Sequence, residues 1–431
     1  MTQTDASAVA RPETRLDRIG IPHSVRWGFL AVLVFMTGNG VESNFISPHL
    51  GNAIGSENLA ATIISVYGIS VLVGSYLSGA LSDLWGPRRV MLLGFLVWIV
   101  FEAAFLVSLA MDSTALIMLS YFMRGFGYPL FAFSFLVWVN TVTPPQRNGT
   151  AVGWFYVMFT GGLPTLGSLV ALLAIPAFGG GAGGETGAMV VSSGLVLAGF
   201  LIAWFGVHEP RGRSRLAPEG ESAGAVITGG LRVMVIEPRV AAGFVVRLIN
   251  TAPQYGMFVM LPAVIIGDLG WSQRQWLMMT VIVYAGNISF NALFGYIGDR
   301  WGWKRTVRWF GVFGSALGLL AWWYVPHLVE PGSTWGYWLT VLAGVTFGIL
   351  LAGFVPMGAI MPTLTPKHKG AAMAMYTTAA GGAAFLGSAV VAIVRPWGGE
   401  VGAVWAFVIL YGLAFFLMRF LEVPQIKNVR H

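Results

Sequence analysis

Glu42 and Arg124 are the residues of this 431-residue chain best placed by type and setting to do chemistry. Each interrupts a long apolar run. An ionisable side chain there is costly, so it faces the bundle interior or a wet cavity and marks a pathway. Glu42 follows Asn39 by three residues, on the same helical face, within Phe35-Met-Thr-Gly-Asn39-Gly-Val-Glu42-Ser-Asn44. Arg124 opens Arg124-Gly-Phe-Gly-Tyr128-Pro-Leu-Phe131, whose glycines leave room beside the guanidinium. An acid shielded from water can hold a proton, and an approaching guanidinium favours its release. Glu42 and Arg124 are therefore the expected proton-coupling pair, the alternative being a static ion pair that holds two helices.

Two further polar stripes lie in the second half of the chain. Arg247, Asn250 and Gln254 share one helical face, and Tyr284, Asn287 and Asn291 share another. Amides donate and accept together, as an uncharged ligand with many hydroxyls requires, and buried amides left unpaired would discriminate against deoxy analogues. Asn39, Glu42, Arg124, Tyr128, Trp154, Arg247, Asn250, Gln254, Tyr284, Asn287 and Asn291 are the expected substrate contacts. A carboxylate substrate would need several cations, and Arg124 with Arg247 supplies two, so an organic acid stays open. Trp138 and Trp154, deep in their runs, could stack on a sugar-like ligand, although packing explains them as well. Glu102 is expected toward the outer end of its helix, where it would reach water.

Enzyme chemistry has no visible basis. The six histidines are scattered without ligand spacing, there is no cysteine, and no nucleophile motif or phosphate-cradling loop occurs. No cofactor and no metal site are expected.

The elements that must position these residues are membrane helices. The chain is 56% hydrophobic and 10% charged, with a mean hydropathy of +0.73, too little polar surface to cover a soluble protein of this length. Runs of roughly 20 apolar residues, the length that crosses hydrocarbon, fall at 27–49, 60–82, 90–110, 114–140, 150–176, 187–207, 241–267, 274–298, 306–325, 336–362, 371–394 and 401–421. The expected organisation is a tail over 1–25, a six-helix bundle over 26–207, a linker over 208–240, a second bundle over 241–421 and a tail over 422–431. Residues 1–25 hold no apolar core and read as a tail, not a signal peptide. With twelve spans, Arg11, Arg15, Arg18, Arg26, Arg88, Arg89, Arg147, Arg211, Arg213, Arg215, Arg232, Arg239, Arg300, Lys304, Arg305, Arg308, Lys367, Lys369, Lys427 and Arg430 fall on one side, and Arg274 and Arg395 on the other. Positive residues stay inside, so both termini and the linker are expected in the cytoplasm of a plasma (inner) membrane protein. That placement accounts for the net charge of +7 without nucleic acid.

The two halves repeat. Gly79-Ala-Leu-Ser-Asp83-Leu-Trp85-Gly86-Pro-Arg88-Arg89 returns 216 positions later as Gly295-Tyr-Ile-Gly-Asp299-Arg300-Trp301-Gly302-Trp-Lys304-Arg305. Gly161-Gly162 with Leu166-Gly167-Ser168 likewise returns as Gly381-Gly382 with Leu386-Gly387-Ser388, expected to mark close helix crossings that pack tightly or rock. The same offset puts Phe258 opposite Glu42. A purely architectural acid would be expected in both halves, which favours a working role for Glu42.

The duplicated loop resembles the signature loop of the major facilitator superfamily. That resemblance implies an all-α membrane protein of twelve helices in two six-helix halves related by pseudo-two-fold symmetry, and a transporter working by alternating access. It assigns Gly79, Asp83, Gly86, Arg88 and Arg89 to a charge-relay gating latch, with Asp299 and Arg305 as the second copy. The Phe35–Glu42 and Arg124–Phe131 runs, with Gly153-Trp154-Phe155, further resemble the polyol permease branch, implying proton-coupled import of a pentitol such as ribitol or D-arabinitol. An organic acid or other small metabolite is the alternative. A drug exporter fits less well, because Pro164 follows Leu163 where the antiporter motif has glycine. The expected partners are a polyol, protons and membrane lipids, with no nucleic acid, and the chain is expected to be a monomer.

Overall fold

The computed structural model describes residues 14–18, 20–143, 148–217, 220, 222–365 and 369–423, apart from the side chains at 18, 148–150, 152, 292, 296, 299, 369 and 370. Arg11, Arg147, Lys367, Lys427 and Arg430, and the side chains of Arg18, Asp299 and Lys369, thus lie outside the described residues. No strand occurs among those described.

Among the described residues, ten helical stretches are long and apolar enough to cross a membrane, and dividing the last at Gly399 and adding 303–327 gives twelve segments. They are α1 (His23–Asn44, carried on by Ile46–Ile54), α2 (Glu57–Trp85), α3 (Pro87–Ala110), α4 (Thr114–Val142), α5 (148–177), α6 (Gly181–Gly206), α7 (Pro238–Asp268), α8 (Gln273–Trp301), α9 (303–327), α10 (Thr334–Leu364), α11 (369–398) and α12 (400–417). α11 and α12 run on as one helix broken at Gly399 (φ 64°). Since the helices alternate in direction, the start of α1 and the end of α12 lie on one face, called here the termini face. The other is the far face.

Local chemistry sets the helix ends. Ser56 caps α2 by accepting from the Leu59 amide at 3.3 Å, and Ser272 caps α8 in a reciprocal box with Gln275. α2 and α8 both stop at a glycine with a backbone closed to other residues, Gly86 (φ 86°, ψ 138°) and Gly302 (φ 116°, ψ 129°). These are the glycines of the repeated loop, so the duplication extends to backbone shape. Trp85 and Trp301 beside them are both half exposed, as interfacial anchors are.

The paired glycines do two different jobs. In α5 they pack within their own half: a Cβ on Gly162 would lie 2.7 Å from the Leu33 carbonyl of α1, and Gly167 meets Gly40 as closely. Gly387 abuts the Ala252 carbonyl of α7 in the same way, whereas Gly381 meets Ser75 of α2, across the halves. Within α5, the π segment Gly161–Leu166 surrounds Pro164, which has no N–H to continue the α-helical ladder. Opposite it, α1 tightens to a 3-10 turn over Val41–Asn44, and Glu42 sits in that turn.

The linker holds a helix that its Gly- and Ser-rich sequence conceals, Ala223–Ile236. Tyr76 of α2 donates to its Ile227 carbonyl, and Gly230 packs beside Met375 of α11. It therefore bridges the halves at the termini face.

Candidate functional site

The polar centre is built where α1, α3 and α4 converge. Arg124 is 1% exposed, and both its Nη atoms donate to Glu42, one of them at 2.9 Å to Oε2. The Tyr121 hydroxyl, one turn earlier on α4, donates to Glu42 Oε1 at 3.0 Å. Arg124 Nη1 also donates to Glu102 of α3. Rings enclose the guanidinium, with Tyr121 at 4.7 Å, Trp98 at 5.3 Å, Tyr67 at 5.6 Å and Phe105 at 5.7 Å from it. Such a shell excludes water and adds cation–π attraction.

The expected contact between Glu42 and Arg124 is present, whereas Glu102 stands differently from expectation. It does not reach water. Its side chain is fully buried, because α3 turns this face toward Arg124 and not toward the far-face rim.

A cavity of about 70 Å³ opens beside this cluster, walled by Asn39, Glu42, Ser43, Ile46, Ser47, Ile64, Tyr67, Tyr121, Tyr128 and Leu163 from one half and by Tyr255, Phe258, Val259 and Ala384 from the other. Asn39 is held in place, its Oδ1 accepting from Trp98 Nε1 at 2.8 Å. Of the expected substrate contacts, Asn39, Glu42 and Tyr128 line the cavity directly, with Arg124 behind Glu42. Tyr67, Tyr121, Tyr255 and the two serines were missed. Tyr121 lies three residues before Arg124, and Ser43 and Ser47 lie four and eight beyond Asn39, so a helical-face reading could have found these three.

The second-half stripes stand elsewhere. Asn250 Nδ2 donates to the Gly311 carbonyl of α9, and Asn287 Nδ2 to the Gly348 carbonyl of α10 at 2.7 Å. Both amides brace neighbouring helices, since a buried NH2 takes the nearest free backbone acceptor. Tyr284 sits behind Phe258, ring centroids 5.4 Å apart, with its hydroxyl buried and unpartnered. Gln254 is buried and its side chain makes no hydrogen bond among the described residues, and Asn291 Oδ1 is buried and unpartnered. Arg247 donates to Thr251 and lies over the rings of Phe354, at 4.3 Å, and Tyr376, at 5.1 Å. No carboxylate pairs with it among the described residues. Trp154 is half-buried in the apolar cluster of α1, α4 and α5, and Trp138 Nε1 donates to Glu209 at 2.8 Å, so neither faces the cavity.

The repeated loop has its own set of contacts. Arg88 donates through Nη1 to the Val207 carbonyl at 3.1 Å and through Nη2 to Trp204 at 2.7 Å, with its guanidinium over the Trp204 ring. It closes the carboxyl end of α6, where unpaired carbonyls attract a cation. The Asp83 carbonyl accepts from the Leu216 and Ala217 amides of the linker at 2.9 and 3.0 Å. Arg89 and Arg305 are exposed. Gly79 has open space around it. The loop therefore fastens α2 to the linker and α3 to α6.

At the far face the halves are locked together. Ser47 Oγ donates to the Val259 carbonyl at 2.6 Å, and Trp276 Nε1 to Asn44 at 2.8 Å. Gln273 donates to Glu185, whose other oxygen meets His49 Nδ1 at 2.6 Å, and Arg395 pairs with Glu57. The far mouth of the cavity is closed.

Residues 28–355 and 244–431 match the sequence profile of the Major Facilitator Superfamily. Alpha-ketoglutarate permease of Bacillus subtilis (strain 168) is 36% identical, over 95% of this chain and 92% of its own length. The D-arabinitol transporter of Klebsiella pneumoniae is 33% identical, over 94% of each chain, and the ribitol transporter of the same species 32%, over 94% and 93%. Among solved structures, a D-xylose-proton symporter superposes with a TM-score of 0.65 at 16% identity, covering 94% of this chain and 96% of its own.

Proposed function

The chain belongs to the major facilitator superfamily, and from that membership we propose that this multi-pass membrane transporter imports a sugar alcohol, a pentitol such as ribitol or D-arabinitol, together with a proton. The observation that carries the substrate class is the cavity wall. It sets the polar side chains of Tyr67, Tyr121, Tyr128, Tyr255, Ser43, Ser47, Asn39 and Glu42 among the apolar ones of Ile46, Ile64, Leu163, Val259, Ala384 and Phe258. Polyol hydroxyls bond such groups while the C–H edges of the carbon chain rest on the ring. The adjoining guanidinium is already held by two acids, which leaves little attraction for an anion. Relatives named for D-arabinitol and ribitol support the same class.

In the mechanism, substrate binds between the halves and the halves rock about it. Glu42 exchanges the proton as its contact with Arg124 tightens and loosens. The far-face bonds describe the state closed to the outside, with the termini face, rich in Arg and Lys, toward the cytoplasm of the plasma membrane. The 26–207 and 241–421 bundles move as the two units, the repeated loops steadying them, and the unit of function is the monomer.

A second reading, import of an organic acid, has its own support in the relative named alpha-ketoglutarate permease and in Arg247, which lacks a carboxylate partner among the described residues. A thermal-shift screen of purified protein against pentitols, hexitols, aldoses and dicarboxylates separates the two. A ligand at a hundred times its Kd stabilises by about 2.7 kcal/mol. Stabilisation by a pentitol, followed by pentitol-dependent proton uptake in proteoliposomes, is expected. A shift from dicarboxylates alone would replace the polyol with the acid.

A further inference from the structure

Glu102 is the buried acid that the mechanism above leaves unused. It lies on α3 one turn beyond Trp98, and its side chain is 0% exposed. Oε2 accepts from Arg124 Nη1, the same nitrogen that donates to Glu42 Oε2. Oε1 is buried with no partner. Around the guanidinium that binds this acid stand Glu42 from α1, Tyr67 from α2, Trp98 and Phe105 from α3, and Tyr121 from α4. Among the described residues, no cation other than Arg124 pairs with either acid.

One guanidinium therefore serves two carboxyls in a water-free shell. With both acids ionised the cluster would carry a net negative charge, and like charges sharing a site cannot both ionise cheaply. The two acids differ in their hydrogen bonds. Glu42 receives both Nη groups and the Tyr121 hydroxyl, whereas Glu102 receives one shared Nη and leaves an oxygen bare. A bare neutral carboxyl oxygen in an apolar setting costs far less than a bare ionised one.

We infer that Glu42 and Glu102 share a single proton across Arg124, and that with the far face closed this proton resides on Glu102. Glu102 is thus the internal store of the coupled proton, and Glu42, at the cavity wall, is its port. To leave, the proton passes from the Glu102 carboxyl to the Glu42 carboxylate: one O–H bond breaks, another forms, and Arg124 shifts toward the newly ionised Glu102. Glu42 then yields the proton to water in the opened cavity. This inference rests on the proton-coupled reading above.

Infrared spectroscopy of the wild-type protein at neutral pH is expected to show the C=O stretch of a buried protonated carboxyl, which carboxylates lack. Because the stretches of Asp and Glu differ, Glu102→Asp should move that band and Glu42→Asp should leave it in place. Absence of the band in wild type, or a shift in Glu42→Asp, overturns the assignment, and the Glu42→Asp arm decides even if the Glu102 variants fail to fold. In proteoliposomes Glu102→Gln, which mimics the protonated acid, should keep pentitol counterflow while losing uphill accumulation and pentitol-driven proton uptake. Wild-type proton uptake that persists in Glu102→Gln refutes the role of Glu102 alone. No proton uptake by wild type with any substrate refutes the coupled reading, and this inference with it.

Discussion

Phe258, the residue 216 positions after Glu42, lines the same cavity as Glu42. The internal repeat supplies two equivalent places on facing helices, and the chain fills one with an acid and the other with a ring. That asymmetry suits a ligand that is polar along its hydroxyls and apolar along its C–H edges. It also leaves room for only one ionised wall in a small closed space.

Phe258→Ala should therefore loosen selection more than folding. Removing the ring widens the cavity and removes the surface on which the carbon chain rests. Thermal shifts are expected to weaken for the best pentitol and to gain on longer hexitols. An unchanged order of preference would place the ligand away from Phe258.

Glu42→Gln should uncouple transport. The amide cannot ionise, and one of its ends offers Arg124 a donor instead of an acceptor. Counterflow exchange of pentitol should survive while accumulation against a gradient disappears. Uphill uptake by this variant would remove Glu42 from the proton path.

Arg395→Ala should open the far mouth. Arg395 ties α11 to Glu57 at the start of α2, and with its loss the seal depends on Ser47, Trp276 and Gln273. The natural chain has no cysteine, so a single Ser43→Cys reports access to the cavity cleanly. Labelling of that cysteine from the far face should rise in the Arg395→Ala background. Equal labelling in both would mean that the pair contributes nothing to closure.

Gly86→Ala should lower the melting temperature. The backbone at Gly86 (φ 86°) is closed to a side chain at a cost of about 1–3 kcal/mol. An added Cβ would also stand 2.9 Å from the Gly212 and Ser214 carbonyls of the linker. Gly79→Ala, with open space around the new methyl, should be near neutral. The comparison separates the two glycines of the motif, one held by backbone shape and the other not.

Asp17 supplies an acid-dependent contact outside the membrane. Burial pushes its carboxyl up, but the Thr14 hydroxyl at 2.6 Å and the His23 and Thr14 amides, each at 3.0 Å, outweigh this and hold it below the usual range. Its contribution is present above the unfolded value of about 3.9 and is lost as pH falls through the lower folded value. Hydrogen-exchange protection at His23 should decline over that acid window in wild type and be low throughout in Asp17→Asn.

The sequence by itself determined the elements. Twelve apolar runs of spanning length, two glycine-ended loops in register and one acid and one base in apolar surroundings were legible, because hydrocarbon admits only backbone-satisfied helices of that length and penalises charge. Spacing along a helix likewise placed Asn39 beside Glu42. Only the tertiary structure decided which polar groups meet. Asn250 and Asn287 have the same residue type and helical setting as Asn39, yet their amides go to the carbonyls of Gly311 and Gly348, and Arg88 goes to the end of α6. Glu102 reads along the chain as a rim residue, and only the turn of α3 against α4 buries it on Arg124. Periodicity fixes the face of a helix on which a side chain stands. The neighbour it faces, and the hydrogen bond it finds there, depend on how distant helices rotate against one another, and that information is not local in the chain.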